Sequence, residues 1–354
     1  MASPYRVAVI GYGFSAKVFH IPLILANPAF KLHSVVQRSP QPDSDAAKDH
    51  PNVQVWRESE DAINDSEIDV VVVSTTPSSH YELVTRALNA GRHVVVEKPA
   101  CPTAKEVDQL IALAKSKQLL LTIYQNRRWD ADFLTVKHLI SQGVLGNVVE
   151  FESHFDRYAP APPPATAWQA VSAPASGIVY DLGTHLIDQI VVLFGMPKKV
   201  TGFVSKLTQD RTDDAFTIFF QYPRGMLVTV KATVLSCEAR QLRFWVRGDK
   251  ASYKKFFMDV QEEQIMAGKS VLDRDFGHEP EAHYGTCTTF NNGDIEDEVV
   301  PTIAPLTYRT FYDELATALA GKAEVPVDAA RARDVLFLVE LAKQSSDEGV
   351  TLNV

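Results

Sequence analysis

The sequence predicts an α/β protein in two parts: a doubly wound parallel sheet first, then an α+β domain with a large, mostly antiparallel open sheet. Three observations carry this. The first third alternates short apolar runs with helical stretches, a glycine-rich turn opens the first of these repeats, and from residue 148 the pattern changes to strict alternation broken by hairpin turns. A chain of 354 residues has room for two ordinary domains. The boundary falls where the last apolar run of the first pattern ends, giving domains of 1–124 and 125–354.

Residues 5–11, YRVAVIG, form a β-branched apolar run, and GYGFSAKVF follows at once, which reads as strand, tight turn and helix. Further apolar runs at 31–37, 68–75, 93–97 and 119–124 are separated by helical stretches such as YELVTRALNA and AKEVDQLIALAKSK. Thr103 and Glu106 make a capping box for the second of these helices, and Gly91 stands where the first must stop. Unbroken apolar strands alternating with helices describe a parallel sheet covered on both faces, the Rossmann arrangement. Gly11-Tyr12-Gly13-Phe14-Ser15-Ala16 then fits the G-x-G-x-x-G/A turn of a dinucleotide site. In that turn Gly11 permits the bend, Gly13 lets a pyrophosphate approach the backbone, and Ala16 permits close helix-to-strand packing.

The second apolar run normally ends in an acid that accepts hydrogen bonds from the adenosine ribose. Gln37, Arg38 and Ser39 stand there instead. An acid would repel a 2′-phosphate, whereas Arg38 offers a fork of donors and Ser39 a hydroxyl, so the expected cofactor is NADP rather than NAD. Open α/β sheets bind ligands beyond the carboxyl ends of their strands. That rule adds Thr75, Thr76, Pro77 and His80 at and beyond the end of the run at 68–75, and Glu97 and Lys98 at and beyond the end of the run at 93–97, to the cofactor residues Gly11, Gly13, Phe14 and Ser15.

The second part begins with VVEFESHFDRY, which places Val149, Phe151, Ser153 and Phe155 on one face and Glu150, Glu152, His154 and Asp156 on a wet or ligand-facing side. AFTIFFQY and MLVTVKATV flank the turn Pro223-Arg224-Gly225, and QLRFWVRG and ASYKKFF flank Gly248-Asp249-Lys250, as hairpins of one sheet. A Pro/Ala-rich loop at 159–177 contains Trp168, which either covers the nicotinamide or sugar face or anchors the loop. The amphipathic C-terminal helix, about 328–346, is expected to pack back on the first domain.

Composition limits the function classes. Hydrophobic residues make up 45% and charged residues 22%, and the formal charge of −9 argues against a nucleic-acid partner. Three scattered cysteines, Cys101, Cys237 and Cys287, show no metal-ligand spacing and fit a reducing compartment. No segment approaches the length of a membrane span, so a cytoplasmic protein without bound metal is expected.

The segments GYGFSAKVFHIPL, TTPSSHYE, EKPACPTAKE, YQNRRWDADFLTVKHLIS, YDLGTHLIDQ and LFGMPKKV resemble the glucose-fructose oxidoreductase/inositol dehydrogenase (Gfo/Idh/MocA) family. E-K-P is the lysine motif of that family and D-x-G-x-H-x-x-D its second-domain motif. The likeness spans roughly residues 6–200, is greatest to NADP-dependent scyllo-inositol dehydrogenases, and departs from them at Trp168-Gln169, where those relatives tend to carry Trp-Arg. It implies hydride transfer between nicotinamide and a cyclic polyol or sugar, in a homodimer or homotetramer. By this resemblance Lys98, Asp181 and His185 take the catalytic positions. On their own chemistry, Asp181 and His185 share a helix face with Asp188, and a histidine flanked by carboxylates suits proton transfer. Lys98 can stabilise developing alkoxide charge, and either it or His185 carries the proton. Asp181 also fits a helix N-cap. Asn126 is a candidate for cofactor or polyol, and Arg128, Tyr158, Asp181, His185 and Asp188 for substrate. Arg127 and Arg128 equally suit ion pairs with Asp130 and Asp132. A non-catalytic dinucleotide or sugar sensor on the same fold is the alternative from another functional class.

Overall fold

The computed structural model describes residues 3–161, 173–208 and 212–354. The chain forms two compact units: Met1–Asn126 with Glu262–Phe276 and Tyr308–Arg333, and Arg127–Gln261 with Gly277–Thr307 and Asp334–Val354.

The first unit is built on six parallel strands, β1 (Tyr5–Ile10), β2 (Phe30–Val36), β3 (Gln54–Trp56), β4 (Val70–Val73), β5 (His93–Glu97) and β6 (Leu121–Tyr124). Their spatial order is β3-β2-β1-β4-β5-β6. The order reverses between β1 and β4, the crevice where such sheets take ligands. All four valines of β4 are buried, as a strand covered on both faces requires. Burying each contributes roughly 1.5–3 kcal/mol. The helix Ala104–Lys117 has the expected capping box, and Gly91 (φ +79°) ends the helix Pro77–Asn89, with the Arg92 N–H returning to the Ala87 carbonyl.

Beyond the glycine turn, residues Ala16–His20 widen into a π-helical turn before the α-helix Ile21–Ala26. Pro22 accounts for this. It has no N–H, and its ring would strike the Val18 carbonyl in a regular α-helix, so the wider turn relieves the clash. Two segments that the sequence reading gave to the second domain cluster here. The helix Arg309–Leu319 buries Phe311 and Tyr312, whose rings meet Tyr124 at 4.7 Å and Phe30 at 5.6 Å between centroids.

The second unit carries a nine-stranded sheet of β7 (Val148–His154), β8 (Lys199–Ser205), β9 (Ala215–Gln221), β10 (Leu227–Thr233), β11 (Leu242–Gly248), β12 (Ala251–Phe256), β13 (Gly285–Asn291), β14 (Asp294–Val300) and β15 (Leu352–Asn353). Both hairpins form as expected, β9 with β10 and β11 with β12. Among the described residues only β7 and β10 of this sheet run parallel. Phe151, Ser153 and Phe155 are buried on one face, but Val149 is 51% exposed. A register shift at Arg247/Gly248 puts the start of β7 out of phase with the rest. The opposite side is not wet throughout, since His154 is enclosed between Glu152 and Asp156.

The helix Ala329–Glu348 divides between the units at Arg333/Asp334. Arg333 pairs with Asp108 at 3.2 Å in the first unit. The body of the helix instead lies on β8, where Ser345 and Ser346 accept the N–H groups of Gly202 and Val204. A Cβ at Gly202 would sit 2.0 Å from the Ala342 carbonyl oxygen, so only glycine allows this approach. The expectation that this helix packs on the first domain is corrected for all but its first turns.

Candidate active site

In the first unit, Gly11 has φ +101°, and a Cβ there would lie 2.4 Å from the Ser74 carbonyl oxygen at the end of β4. The fold itself therefore demands this glycine. Gly13 differs. Its φ lies outside the left-handed region, and an added Cβ would meet nothing within 4 Å. Nothing in the protein requires glycine there, which is what an approach surface for a pyrophosphate would leave open. Ala16 is fully buried, and Phe14 is half-exposed edge-on to Phe19.

At the carboxyl end of β2 the three expected residues divide. Gln37 is buried and spent on the following loop: its Nε2 donates to the Ser44 carbonyl (2.6 Å) and its Oε1 accepts from the Ala46 N–H (2.8 Å). Arg38 and Ser39 are exposed, without an intramolecular hydrogen bond or ion pair among the described residues. After β4, the Thr75 and Ser79 hydroxyls meet at 2.7 Å, Thr76 is exposed, and Pro77 occupies the first helical position.

His80 is fully buried and faces two carbonyls, Pro99 O at 2.9 Å from Nδ1 and Thr75 O at 3.1 Å from Nε2. Burial pulls its imidazole below the ordinary range, against the pull of both carbonyl contacts. The ring joins the loop after β4 to the Pro99 carbonyl, next to the cis Lys98–Pro99 bond.

Glu97 is likewise turned inward. Its Oε1 accepts from the Ser15 hydroxyl and from His20 Nε2 (2.9 Å), and its Oε2 accepts from the Lys98 N–H (3.1 Å). Burial works to raise this carboxyl, but the bond and charge of His20, then Ser15 and Lys98, outweigh it and hold it below the usual carboxylate range. An ionised Glu97 fixes the proton on His20 Nε2, and His20 Nδ1 faces the Tyr312 hydroxyl at 2.7 Å. The Ser15 side chain is thus committed to the protein, and the glycine turn is tied to the strand end that carries Lys98. Lys98 itself is partly exposed, and Asn126 is buried in the turn Asn126–Trp129. Sequence reasoning missed His20 and Tyr312, whose partners lie 77 and 292 residues away.

In the second unit, Arg128 and Asp188 are brought together and satisfy one another. Arg128 Nε donates to Asp188 Oδ2 at 2.7 Å and Nη2 to Oδ1 at 2.6 Å, a planar two-bond pair. The two expected substrate residues are thus held together as an ion pair. Arg127 takes Asp130 (3.4 Å), while Asp132 takes Arg243 (2.9 Å) rather than either neighbouring arginine. Arg243 is fully buried, donates also to Ser153 (2.7 Å) and Gln189 (2.8 Å), and lies 4.4 Å from the Phe155 ring centre.

That scaffold supports the helix carrying the second motif. Val179–Gly183 is a π-helical turn containing Asp181, and Thr184–Phe194 continues as α-helix with His185 in its first turn. Asp181 is not an N-cap, because the chain is helical before it. The cap is supplied from afar: Asp213 accepts the Val179 N–H at 2.9 Å, and a Cβ at Gly177 would lie 1.8 Å from its carboxylate. His185 is 6% exposed with its ring edge-on to Phe155, whereas Asp181 is partly exposed. Tyr158 is 59% exposed and forms an isolated antiparallel bridge with Leu235. Trp168 lies outside the described residues. Among the described residues no cluster of metal-ligating side chains is present, and no helix is long and apolar enough to cross a membrane.

A family model of oxidoreductases with an NAD-binding Rossmann fold matches residues 5–125, and one of the GFO/IDH/MocA C-terminal domain matches residues 133–254. An uncharacterized oxidoreductase of Schizosaccharomyces pombe, C115.03, is 39% identical over 372 residues, covering 99% of this chain and all of that protein. The chain belongs to the Gfo/Idh/MocA family of oxidoreductases. Another family relative, the scyllo-inositol 2-dehydrogenase (NADP(+)) IolW of Bacillus subtilis, is 34% identical, with 98% of this chain and 95% of that protein covered. The solved structure of Bacillus subtilis yvaA matches with a TM-score of 0.94 at 33% identity over 100% of this chain and 99% of that one. The Gfo/Idh/MocA likeness therefore continues past residue 200, where the sequence motifs thin out. The NAD-binding fold of the matching N-terminal family model agrees with the glycine turn and the strand order of the first unit.

Proposed function

We propose that this Gfo/Idh/MocA oxidoreductase uses NADP and acts on a ring alcohol of a cyclic polyol or sugar. The observation that carries the cofactor choice is the exposed, unpaired Arg38-Ser39 at the end of β2, where an acid would reject a 2′-phosphate. The substrate class rests on the E-K-P and D-x-G-x-H-x-x-D motifs and on likeness to a relative named as a scyllo-inositol dehydrogenase.

Lys98, Asp181 and His185 are the proposed catalytic residues. When bound, the nicotinamide accepts or returns the hydride. His185 takes the hydroxyl proton as the carbon is oxidised, with Asp181 favouring its charged form, and Lys98 stabilises charge on the reacting oxygen. The reduction runs these proton steps in reverse. Gly11 and Gly13 shape the phosphate turn, and Phe14, Thr75, Thr76 and Asn126 complete the cofactor's surroundings. A homodimer or homotetramer is part of the proposal, supported by the exposed side chains Phe203, Phe290, Ile295 and Val299 on strands of the second sheet. The test is steady-state oxidation of scyllo-inositol, myo-inositol, glucose and xylose with NADP and with NAD. Turnover of at least one ring polyol, faster with NADP and abolished by Lys98→Ala, is the expected result.

A further inference from the structure

The loop after β2 contains more than the two residues at the strand end. Gln41 and Ser44 close a tight turn through paired backbone hydrogen bonds of 3.0 Å each. Gln37 Nε2 pins the Ser44 carbonyl at 2.6 Å, so the Ser44 hydroxyl is held in a fixed place. Lys17 reaches this hydroxyl from the helical turn after the glycine motif, donating to it at 2.6 Å, with its ammonium 5.0 Å from the centre of the Tyr12 ring. Tyr12 is anchored in turn by its hydroxyl, which donates to Asp49 at 2.7 Å. On the other side, Arg57 Nη1 donates to the Gln37 carbonyl at 2.9 Å, one peptide before Arg38.

Two cations thus converge on the loop whose first residues are Arg38 and Ser39, and neither is in an ion pair with an acid among the described residues. Two of the three acids of this stretch have other partners: Asp45 caps the helix Ala46–Asp49 through the Ala47 N–H and lies 3.8 Å from Lys48, while Asp49 holds Tyr12; the third, Asp43, is exposed at the turn next to Ser44. The one bond Lys17 makes uses a single donor of three, and the Ser44 hydroxyl, accepting from Lys17, has its own proton to give elsewhere. A hydroxyl and an ammonium fixed together, with a free guanidinium on the same loop, suit a dianionic phosphate monoester.

We infer that Lys17 and Ser44 complete the seat for the cofactor's 2′-phosphate, with Arg38 and Ser39 as its other side. Arg57 acts by orienting the Gln37–Arg38 peptide. This rests on the NADP reading and adds two residues from outside the strand end to it. It also makes the helix after the glycine turn selective between the two cofactors as well as a support for the pyrophosphate.

The test uses the whole protein and binding alone. NADPH and NADH are titrated by fluorescence, and 2′,5′-ADP and 5′-AMP by calorimetry, against native protein, Lys17→Met, Lys17→Arg and Ser44→Ala. Lys17→Met keeps the apolar stem over Tyr12 while removing the charge, and melting temperatures check that each variant is folded. Lys17→Met is expected to weaken NADPH and 2′,5′-ADP about tenfold or more, as loss of a charge-assisted contact implies, and to change NADH and 5′-AMP less than about twofold. Lys17→Arg restores most of the preference, and Ser44→Ala loses part of it. Equal weakening of both cofactors, or none, with native protein still preferring NADPH, overturns the assignment of Lys17 and Ser44. Native protein that binds 2′,5′-ADP no better than 5′-AMP overturns the NADP reading itself.

Discussion

Gly11 and Gly13 stand two residues apart in one turn, and their replacement by alanine should separate fold from function. At Gly11, φ +101° and a contact of 2.4 Å to a backbone oxygen leave alanine no relaxed solution. Rotating a side chain cannot relieve it, because the obstacle is the Ser74 carbonyl on the neighbouring strand. Strain at a left-handed position plus displacement of β1 from β4 should cost about 2–4 kcal/mol. At about 2–4 °C per kcal/mol, the melting temperature falls by roughly 4–16 °C. At Gly13 the new methyl meets open space, so stability should stay within about 0.5 kcal/mol of native. The methyl would instead stand where a phosphate approaches. Losing one charge-assisted hydrogen bond of about 1.5–3 kcal/mol weakens the dinucleotide roughly 10- to 100-fold. Differential scanning calorimetry and fluorescence titration with NADPH read the two effects. A Gly13→Ala variant that melts lower yet binds as native, or a Gly11→Ala variant as stable as native, would refute the reasoning.

Three further outcomes follow from the buried charges. Asp259 is pushed up to about 6, first by burial and then by Asp132, despite donors from Ala131 and Gln261. The folded state therefore holds this proton more tightly than the unfolded chain, so its stabilising contribution is present below about pH 4 and is lost as pH rises through 6, by on the order of 2–3 kcal/mol. Urea melts at pH 4.5 and 7 should show a smaller difference in Asp259→Asn than in native protein; an unchanged difference contradicts the assignment. Arg243→Met leaves the Asp132 carboxylate buried without its guanidinium and should cost roughly 3–5 kcal/mol, with Asp132→Asn in the same chain recovering part of it in thermal melts. Glu97→Gln cannot accept from Ser15, His20 and the Lys98 N–H as a carboxylate does. It should lose about 1–3 kcal/mol of stability and weaken NADPH binding, and native behaviour in both assays would contradict the link between turn and strand end.

Most of the first unit was legible because its strands are buried on both faces. The run Val70–Val73 needs no periodicity to be read as a strand, and the capping residues Thr103 and Glu106 are local by nature. β3 has only three residues at a half-exposed edge, too few to form a pattern. The helices that return to this unit were assigned elsewhere because periodicity shows that a helix has an apolar face, without showing which sheet receives it. In the candidate site, residue types were readable but their commitments were not. Arg128 and Asp188 are 60 residues apart, and Arg243 and Asp132 are 111 apart, so nothing local indicates that each is satisfied. Glu97 and His80 read as ligand residues from their place at strand ends. The structure adds that both are buried, each with two or three internal acceptors or donors that tie together the loops carrying Lys98 and Thr75.

The most direct test of the account is a single comparison of initial rates: native protein with NADP against native protein with NAD on scyllo-inositol and the other ring polyols, beside Lys98→Ala and His185→Ala. Turnover should favour NADP and be lost in both variants while their NADPH titrations still show a folded, binding protein. Tight NADPH binding by native protein with no turnover of any ring polyol, or turnover that survives loss of both Lys98 and His185, would contradict it.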